Sequence, residues 1–330
     1  MKPPVDYLFP PMTSGTVPYW RLTLRGCSQL CFQTNELTGI FFLVAVLVTS
    51  PLAAAYMLVA ALMAPGGRML LGQRGAVLET GLPGLNPCLV ALSLPAFFET
   101  GWTDWGMWAV LVVCVAVAIV LVRVLLLVLP FPILVLPFLI IFWILWALEP
   151  HVGFLEPAAG GPAAAATFQP VAAVLRGLGE TLFSPAIVSG LLFLCGVLLG
   201  NWRHGVIALV GATTGTVVAY YYRQVDPGSA DLGLYGFNGV LAAVSAYVVC
   251  GGRLRLAVLG AVLATILTPA ISAVGVQALS APFVLTTWFL LLLGWIEDRW
   301  FGAPPQPQLA GSAATPAADT QTPLPARNGD

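Results

Sequence analysis

Long apolar runs alternate along this chain with short breaks rich in glycine, proline or polar residues. The runs cover roughly 37–50, 51–65, 84–98, 105–129 and 131–148, then roughly 186–200, 204–222, 236–250, 254–270 and 281–296. Each predicts a helix buried in protein or lipid, and several fall short of the ~20 residues that cross a bilayer. Pro51 marks a tight joint, the polar stretch GGRMLLGQRG predicts a loop, and Pro132 and Pro137 interrupt the fifth run. Residues 17–32 are too short and too charged to span, carrying Arg21 and Arg25. They suit a re-entrant half-helix enclosed by protein. The chain thus divides into a Pro-rich lead (1–16), a first membrane unit (17–148), an Ala/Pro/Gly linker (149–170), a second unit (171–298) and a disordered tail (299–330).

The two units repeat each other. RGCSQLCF at Arg25–Phe32 returns as RGLGETLF at Arg176–Phe183, which pairs Arg25 with Arg176, Gly26 with Gly177, Gln29 with Glu180 and Phe32 with Phe183. GLPGLNPCL at Gly81–Leu89 returns as GLYGFNGVL at Gly233–Leu241, and Pro137–Phe138 as Pro282–Phe283. Repeats in one order at near-constant displacement are a common way to build a transporter. Five spans per half is an odd number, so the second half enters the membrane upside down. Lys2, Arg68, Arg74, Arg203, Arg253, Arg255 and Arg299 then share one face, and Arg223 stands on the other. The positive-inside rule makes both termini cytoplasmic.

Composition narrows the class. Of 330 residues, 59% are hydrophobic and 8% charged, against about one quarter charged in soluble domains. A net charge of −1 gives no basic surface for nucleic acid. The six cysteines form no CxxC pair and read as buried thiols; no metal or cofactor motif is present. No Walker loop, HExxH or Ser/His/Asp grouping is found, which argues against an ATP-driven pump and an enzyme. The two histidines, His151 and His204, are expected in loops.

Gln29 and Glu180 carry the chemistry. Each is the first strong acceptor of an apolar segment, with Phe32 or Phe183 three residues on. A small polar solute that sheds water needs replacement hydrogen bonds, since each unsatisfied group costs several kcal/mol. A side-chain oxygen followed by carbonyls of unwound backbone offers them, and the ring gives a flat apolar wall. The ordinary alternative for Gln29 is a capping or interhelical bond; a glutamate inside a membrane is usually functional. Asn86 and Asn238 read equally as scaffold or solute contacts. Leu85, Phe237, Leu89 and Leu241 are candidate pore-wall positions with core packing as the alternative. Two residues before Pro137 and Pro282 stand Val135 and Ser280, of which only Ser280 offers a hydroxyl.

On these motifs the chain resembles the urea transporter family of bacteria and animals. The phrase GLxG(F/Y)NxxL is intact at Gly233–Leu241 and recognisable at Gly81–Leu89; LPxxTxPF survives in eroded form at 131–138 and 276–283. The resemblance implies an all-α membrane protein of two inverted repeats, each of five helices plus a re-entrant half-helix. It implies a homotrimer in the cell membrane with one pore per protomer, conducting urea passively. Gln29 and Glu180 would head two acceptor rows, Phe32 with Leu85 and Phe183 with Phe237 would form slots, and Val135 and Ser280 would fall at two central threonine positions. Val135 lacks that hydroxyl, Leu85 replaces an aromatic, and Glu36 follows Asn35 where the family has proline. A proton-coupled transporter and a short-amide or ammonia channel are the runner-up readings.

Overall fold

The computed structural model describes residues 17–158, 168–222 and 231–300; the lead, residues 159–167 of the linker, Arg223 and the tail beyond 300 lie outside it. Helices α1 (Tyr19–Ser28), α2 (Glu36–Leu47), α3 (Pro51–Leu70), α4 (Leu85–Phe97), α5 (Trp105–Val128) and α6 (Leu136–Leu148) come first. Then follow α7 (Pro170–Glu180), α8 (Ile187–Gly200), α9 (Trp202–Val217), α10 (Gly236–Val249), α11 (Leu254–Ser272) and α12 (Ala281–Trp300). Among the described residues, extended backbone pairs only at one bridge, Phe98 with Pro157. Local chemistry sets the starts. Asn35 and Asp104 accept from the amides of Thr38 and Met107, each at 3.0 Å, capping α2 and α5. Pro51, Pro137 and Pro170 sit in first turns, where a missing N–H costs nothing.

Helices α3, α5 and α11 are long and apolar enough to cross a membrane. The segment Tyr19–Cys31 and α2 form a pair bent by 71°, the geometry of a broken span or of a re-entrant segment. Two sequence expectations need correction. Pro132 and Pro137 do not interrupt a span: residues 131–135 are non-helical and lead into α6. Nor does GGRMLLGQRG form a loop throughout, because α3 runs through Pro65 to Leu70. The Tyr19 hydroxyl explains this. It accepts from the Gly66 amide at 3.0 Å and donates to the Leu62 carbonyl, replacing helical bonds displaced around the proline.

Residues paired by the repeated phrases make several reciprocal contacts between α1–α6 and α7–α12. Thr38 Oγ1 on α2 donates to the Gly196 carbonyl on α8 at 2.8 Å; its counterpart Ser189 Oγ on α8 donates to the Ala45 carbonyl on α2 at 2.6 Å. The Trp143 indole donates to the Gln277 carbonyl at 2.9 Å, and the Trp288 indole to the Pro132 carbonyl at 2.8 Å. Phe32 meets Phe283 edge-on at 6.4 Å, and Phe183 meets Phe138 edge-on at 6.2 Å. Phe42 stacks on its own counterpart, Phe193, with centroids 4.8 Å apart and planes 6° apart. When residue i touches j while j's equivalent touches i's, a two-fold axis relates the parts. The reciprocal contacts here are those that a pseudo-dyad through the Phe42–Phe193 stack would produce. The chain through Leu292 is one compact body, so the halves share a core rather than forming two domains.

Glycine permits the close crossings. A Cβ on Gly39 would collide with the Leu24 carbonyl oxygen, and one on Gly190 with the equivalent oxygen of Leu175. Overpacking of this kind costs roughly 1–3 kcal/mol or more. We therefore expect Gly39→Ala and Gly190→Ala each to lower the thermal midpoint in detergent. An unchanged midpoint for both would show that α1–α2 and α7–α8 do not cross at backbone contact.

Candidate functional site

Both half-helices end in the same uncommon way. After α1, the turn Gln29–Cys31 leads to Phe32 at φ 54°; after α7, Thr181 and Leu182 lead to Phe183, also at φ 54°. The bonds match. Phe32 N bonds to Gln29 O at 2.9 Å and Gln33 N to Ser28 O at 3.2 Å; Phe183 N bonds to Glu180 O at 2.9 Å and Ser184 N to Gly179 O at 3.2 Å. This pair of bonds usually closes a helix on a glycine. A bulky residue in the left-handed region costs of order 1–3 kcal/mol, and such strain collects at functional sites. Leu134 (φ 48°) and Leu279 (φ 43°), just before Val135 and Ser280, form a second pair. Among the described residues, these four are the non-glycine residues with positive φ.

The polar side chains at these turns are aimed by their neighbours. Gln29 Nε2 donates to the Thr80 carbonyl at 2.7 Å and to Thr34 Oγ1 at 3.1 Å. Both are donor contacts, so the amide orientation is fixed and Oε1 is left without a protein partner among the described residues. The Glu180 carboxylate likewise has no hydrogen bond or ion pair there, and nor does Ser280 Oγ. None of these atoms is fully buried; among the described residues, the fully buried side-chain polar atoms without a partner are Tyr56 OH, Thr216 Oγ1, Asn238 Oδ1 and Thr286 Oγ1. Three side chains thus carry acceptors without a protein partner among the described residues, two of them at equivalent positions. The nitrogen of Gln29 also ties α1 to the segment before α4, a bond between segments and not a cap.

The remaining predicted residues belong to the core or pack against it. Leu85, Leu89, Leu241 and Val135 are buried in the shared core, and Phe32, Phe183 and Phe237 are half-buried against it. Leu85 and Phe237 lie at the starts of α4 and α10. Those starts press on α1 and α7 at the backbone: a Cβ on Gly84 would lie 2.5 Å from Gly26 Cα, and one on Gly177 3.2 Å from Gly236 Cα. Asn86 is scaffold. Its Nδ2 donates to the Leu134 carbonyl at 3.0 Å and its Oδ1 accepts from Phe138 N at 3.0 Å, holding the left-handed turn before α6. Asn238 donates to the Leu279 carbonyl at 2.8 Å, but its Oδ1 has no partner.

Several features here were not predicted. Phe138 and Phe283 supply the rings that Phe32 and Phe183 meet, and Phe97 adds another at 6.1 Å from Phe183. The aligned Pro–Phe pairs were the available signal for the first two. Glu36 is buried and accepts from both Arg21 and Arg25 at 2.6 and 2.8 Å. Arg176, the counterpart of Arg25, pairs instead with Asp231. His204 is not a loop residue: it lies in the first turn of α9, with Nδ1 2.8 Å from Gln33 Nε2. His151 ends a short turn after α6. Cys27, Cys31, Cys88 and Cys114 are buried thiols, but Cys195 is exposed. No group of metal-ligand type occurs among the described residues.

Comparison with known proteins places these features in a family. The profile described as urea transporter matches residues 20–294. The chain is similar to urea transporter 1 of Rattus norvegicus, 25% identical over 308 residues that cover 82% of this chain and 76% of the relative. It is similar to urea transporter 1 of Ovis aries at 25% over 296 residues, with the same coverage. The mouse protein of that name (Mus musculus) is 26% identical over 248 residues, covering 67% of this chain and 61% of the relative. With the matched region running from α1 into α12, across both strained turns and every unpartnered acceptor described above, the chain belongs to the urea transporter family.

Proposed function

We propose that this protein is a passive, channel-like conductor of urea, with its path running between the two halves. The observation that carries the reading is the matched pair of strained turns, each presenting an unpartnered oxygen beside a ring. Urea has four N–H donors and one carbonyl, and it is flat. Gln29 Oε1 and the Glu180 carboxylate offer acceptors in place of water, and the carbonyls of the turns extend each row. Phe32 with Leu85, and Phe183 with Phe237, form the walls of two slots. Leu89 and Leu241 line the approaches, and Val135 and Ser280 face the centre. Acceptors without cationic partners favour donor-rich neutral solutes over anions, and the apolar walls give hydrated ions no compensation.

The two halves lie inverted in the cell membrane, both termini are cytoplasmic, and the units are 17–148 and 171–298. Five apolar runs per half and the one-sided arginines of the sequence support that arrangement. Three copies associate, each with its own path, as the family resemblance implies. The unpaired Glu180 is the feature that favours proton coupling, so it sets the decisive variant. In proteoliposomes, urea flux is expected to follow the urea gradient alone. Glu180→Gln retains an acceptor oxygen and most of the flux. Glu180→Ala and Gln29→Ala remove the oxygen and slow flux roughly tenfold or more. Loss of flux in Glu180→Gln with an accompanying proton current in the native protein would instead establish coupling.

Val135 gives a further expectation. A hydroxyl there supplies one more contact, worth about 0.5–1.5 kcal/mol net. Val135→Thr should therefore change urea flux or its half-saturation by roughly 2- to 10-fold in the direction of stronger interaction. Identical curves would place Val135 away from the path.

A further inference from the structure

The crossing of α3 and α5 joins two cations to an apolar groove. Arg68 lies near the end of α3, only 4% exposed, and its Nη1 reaches across to the Ile119 carbonyl of α5 at 3.4 Å. Arg123, one helical turn beyond Ile119 on α5, reaches back to the Leu71 carbonyl at 2.7 Å. The two guanidiniums therefore flank one crossing. Arg68 Nε is also held by Gln73. Among the described residues, neither arginine has a carboxylate partner. A cation held out of water without a counter-charge is costly, so the site calls for an anion.

The same two carbonyl-bearing residues line a groove of about 470 Å³, together with Met63, Gly66, Leu70 and Val120. Its walls are apolar, and Gly67 lets α3 approach α5 closely beside it: a Cβ there would lie 2.8 Å from Ile119. Because Ile119 and Leu71 both line the groove and accept from the arginines, the charges adjoin it. A free anion would satisfy the arginines and leave the groove bare. A zwitterionic lipid would fill the groove but bring its own ammonium against the two guanidiniums. Only an amphiphile with an anionic head satisfies both.

We propose that this crossing is a binding site for one anionic phospholipid, its phosphodiester between Arg68 and Arg123 and an acyl chain in the groove. Guanidiniums fork onto phosphate oxygens, and basic pockets between membrane helices hold anionic headgroups. The site is separate from the contact between the halves and does not depend on urea being the solute.

Native mass spectrometry of the full chain in detergent tests it, with phosphatidylglycerol and phosphatidylcholine offered at equal concentration. Two guanidiniums predict a preference for phosphatidylglycerol of roughly thirtyfold. Arg68→Gln with Arg123→Gln should bring the ratio near one, and the exposed Arg123→Gln alone should reduce it in part. Ala116→Trp, which fills the groove, should lower retention of both lipids, and excess inorganic phosphate should not displace the lipid. Equal retention of the two lipids by the native chain overturns the proposal, whether or not the double variant folds. So does displacement by phosphate, or an oligomer that carries no phosphatidylglycerol because a second copy covers the groove.

Discussion

A helix that stops inside an apolar body leaves its last carbonyls and the following amides in need of partners, with no water to supply them. Here α1 and α7 meet that demand in one way. The chain turns back through a left-handed phenylalanine, and two amides return to carbonyls of the helix end. Glycine would make that turn without strain; phenylalanine is held there by the surrounding packing. The ring is thereby fixed beside Gln29 or Glu180, the residue whose carbonyl closes the turn. Backbone satisfaction and side-chain presentation are the same event, so the proposed solute path follows from how two half-helices end.

The backbone obeys the pseudo-dyad, but the chemistry does not. Arg25 and Arg176 both donate to the backbone carbonyl of an acidic residue, Glu79 or Asp231, at 2.6 and 3.2 Å. The first half adds Arg21 and anchors both cations on Glu36, at the start of α2, where a helix N-terminus favours an anion. The second half has Ala172 and Ile187 at those places and uses Asp231. Gln33 reaches His204, whereas its counterpart Ser184 bonds to Ser189 and the Ala45 carbonyl. Reciprocal contacts such as the two indole–carbonyl bonds fix the shape, and unlike polar pairs distinguish the two sides.

Much of this was legible in the sequence. The displaced phrases located both half-helices, and the apolar runs gave helix positions to within a few residues. Equivalent residues such as Phe32 and Phe183 do share conformation to within a degree of φ. What could not be read were contacts that cross the dyad. Nothing local says that Trp143 will find the Gln277 carbonyl, or that Phe32 will meet Phe283 rather than a ring of its own half. The end of α3 was missed because Pro65 reads as a breaker unless one knows that Tyr19, far back in the chain, substitutes for the displaced helical bonds. Glu36 looked like a departure from a motif, and only the fold shows it holding two buried arginines. The role of Asn86 needed both of its bonds to be seen before scaffold could be separated from solute contact.

The most direct test is an anomalous difference map of the protein crystallised with selenourea, whose selenium marks the solute without changing its four donors. Selenium peaks are expected between the two strained turns, with the solute nitrogens within hydrogen-bond reach of Gln29 Oε1 or the Glu180 carboxylate. Peaks confined to the outer surface, with the space between Phe32 and Phe183 filled by packed side chains, would contradict that path.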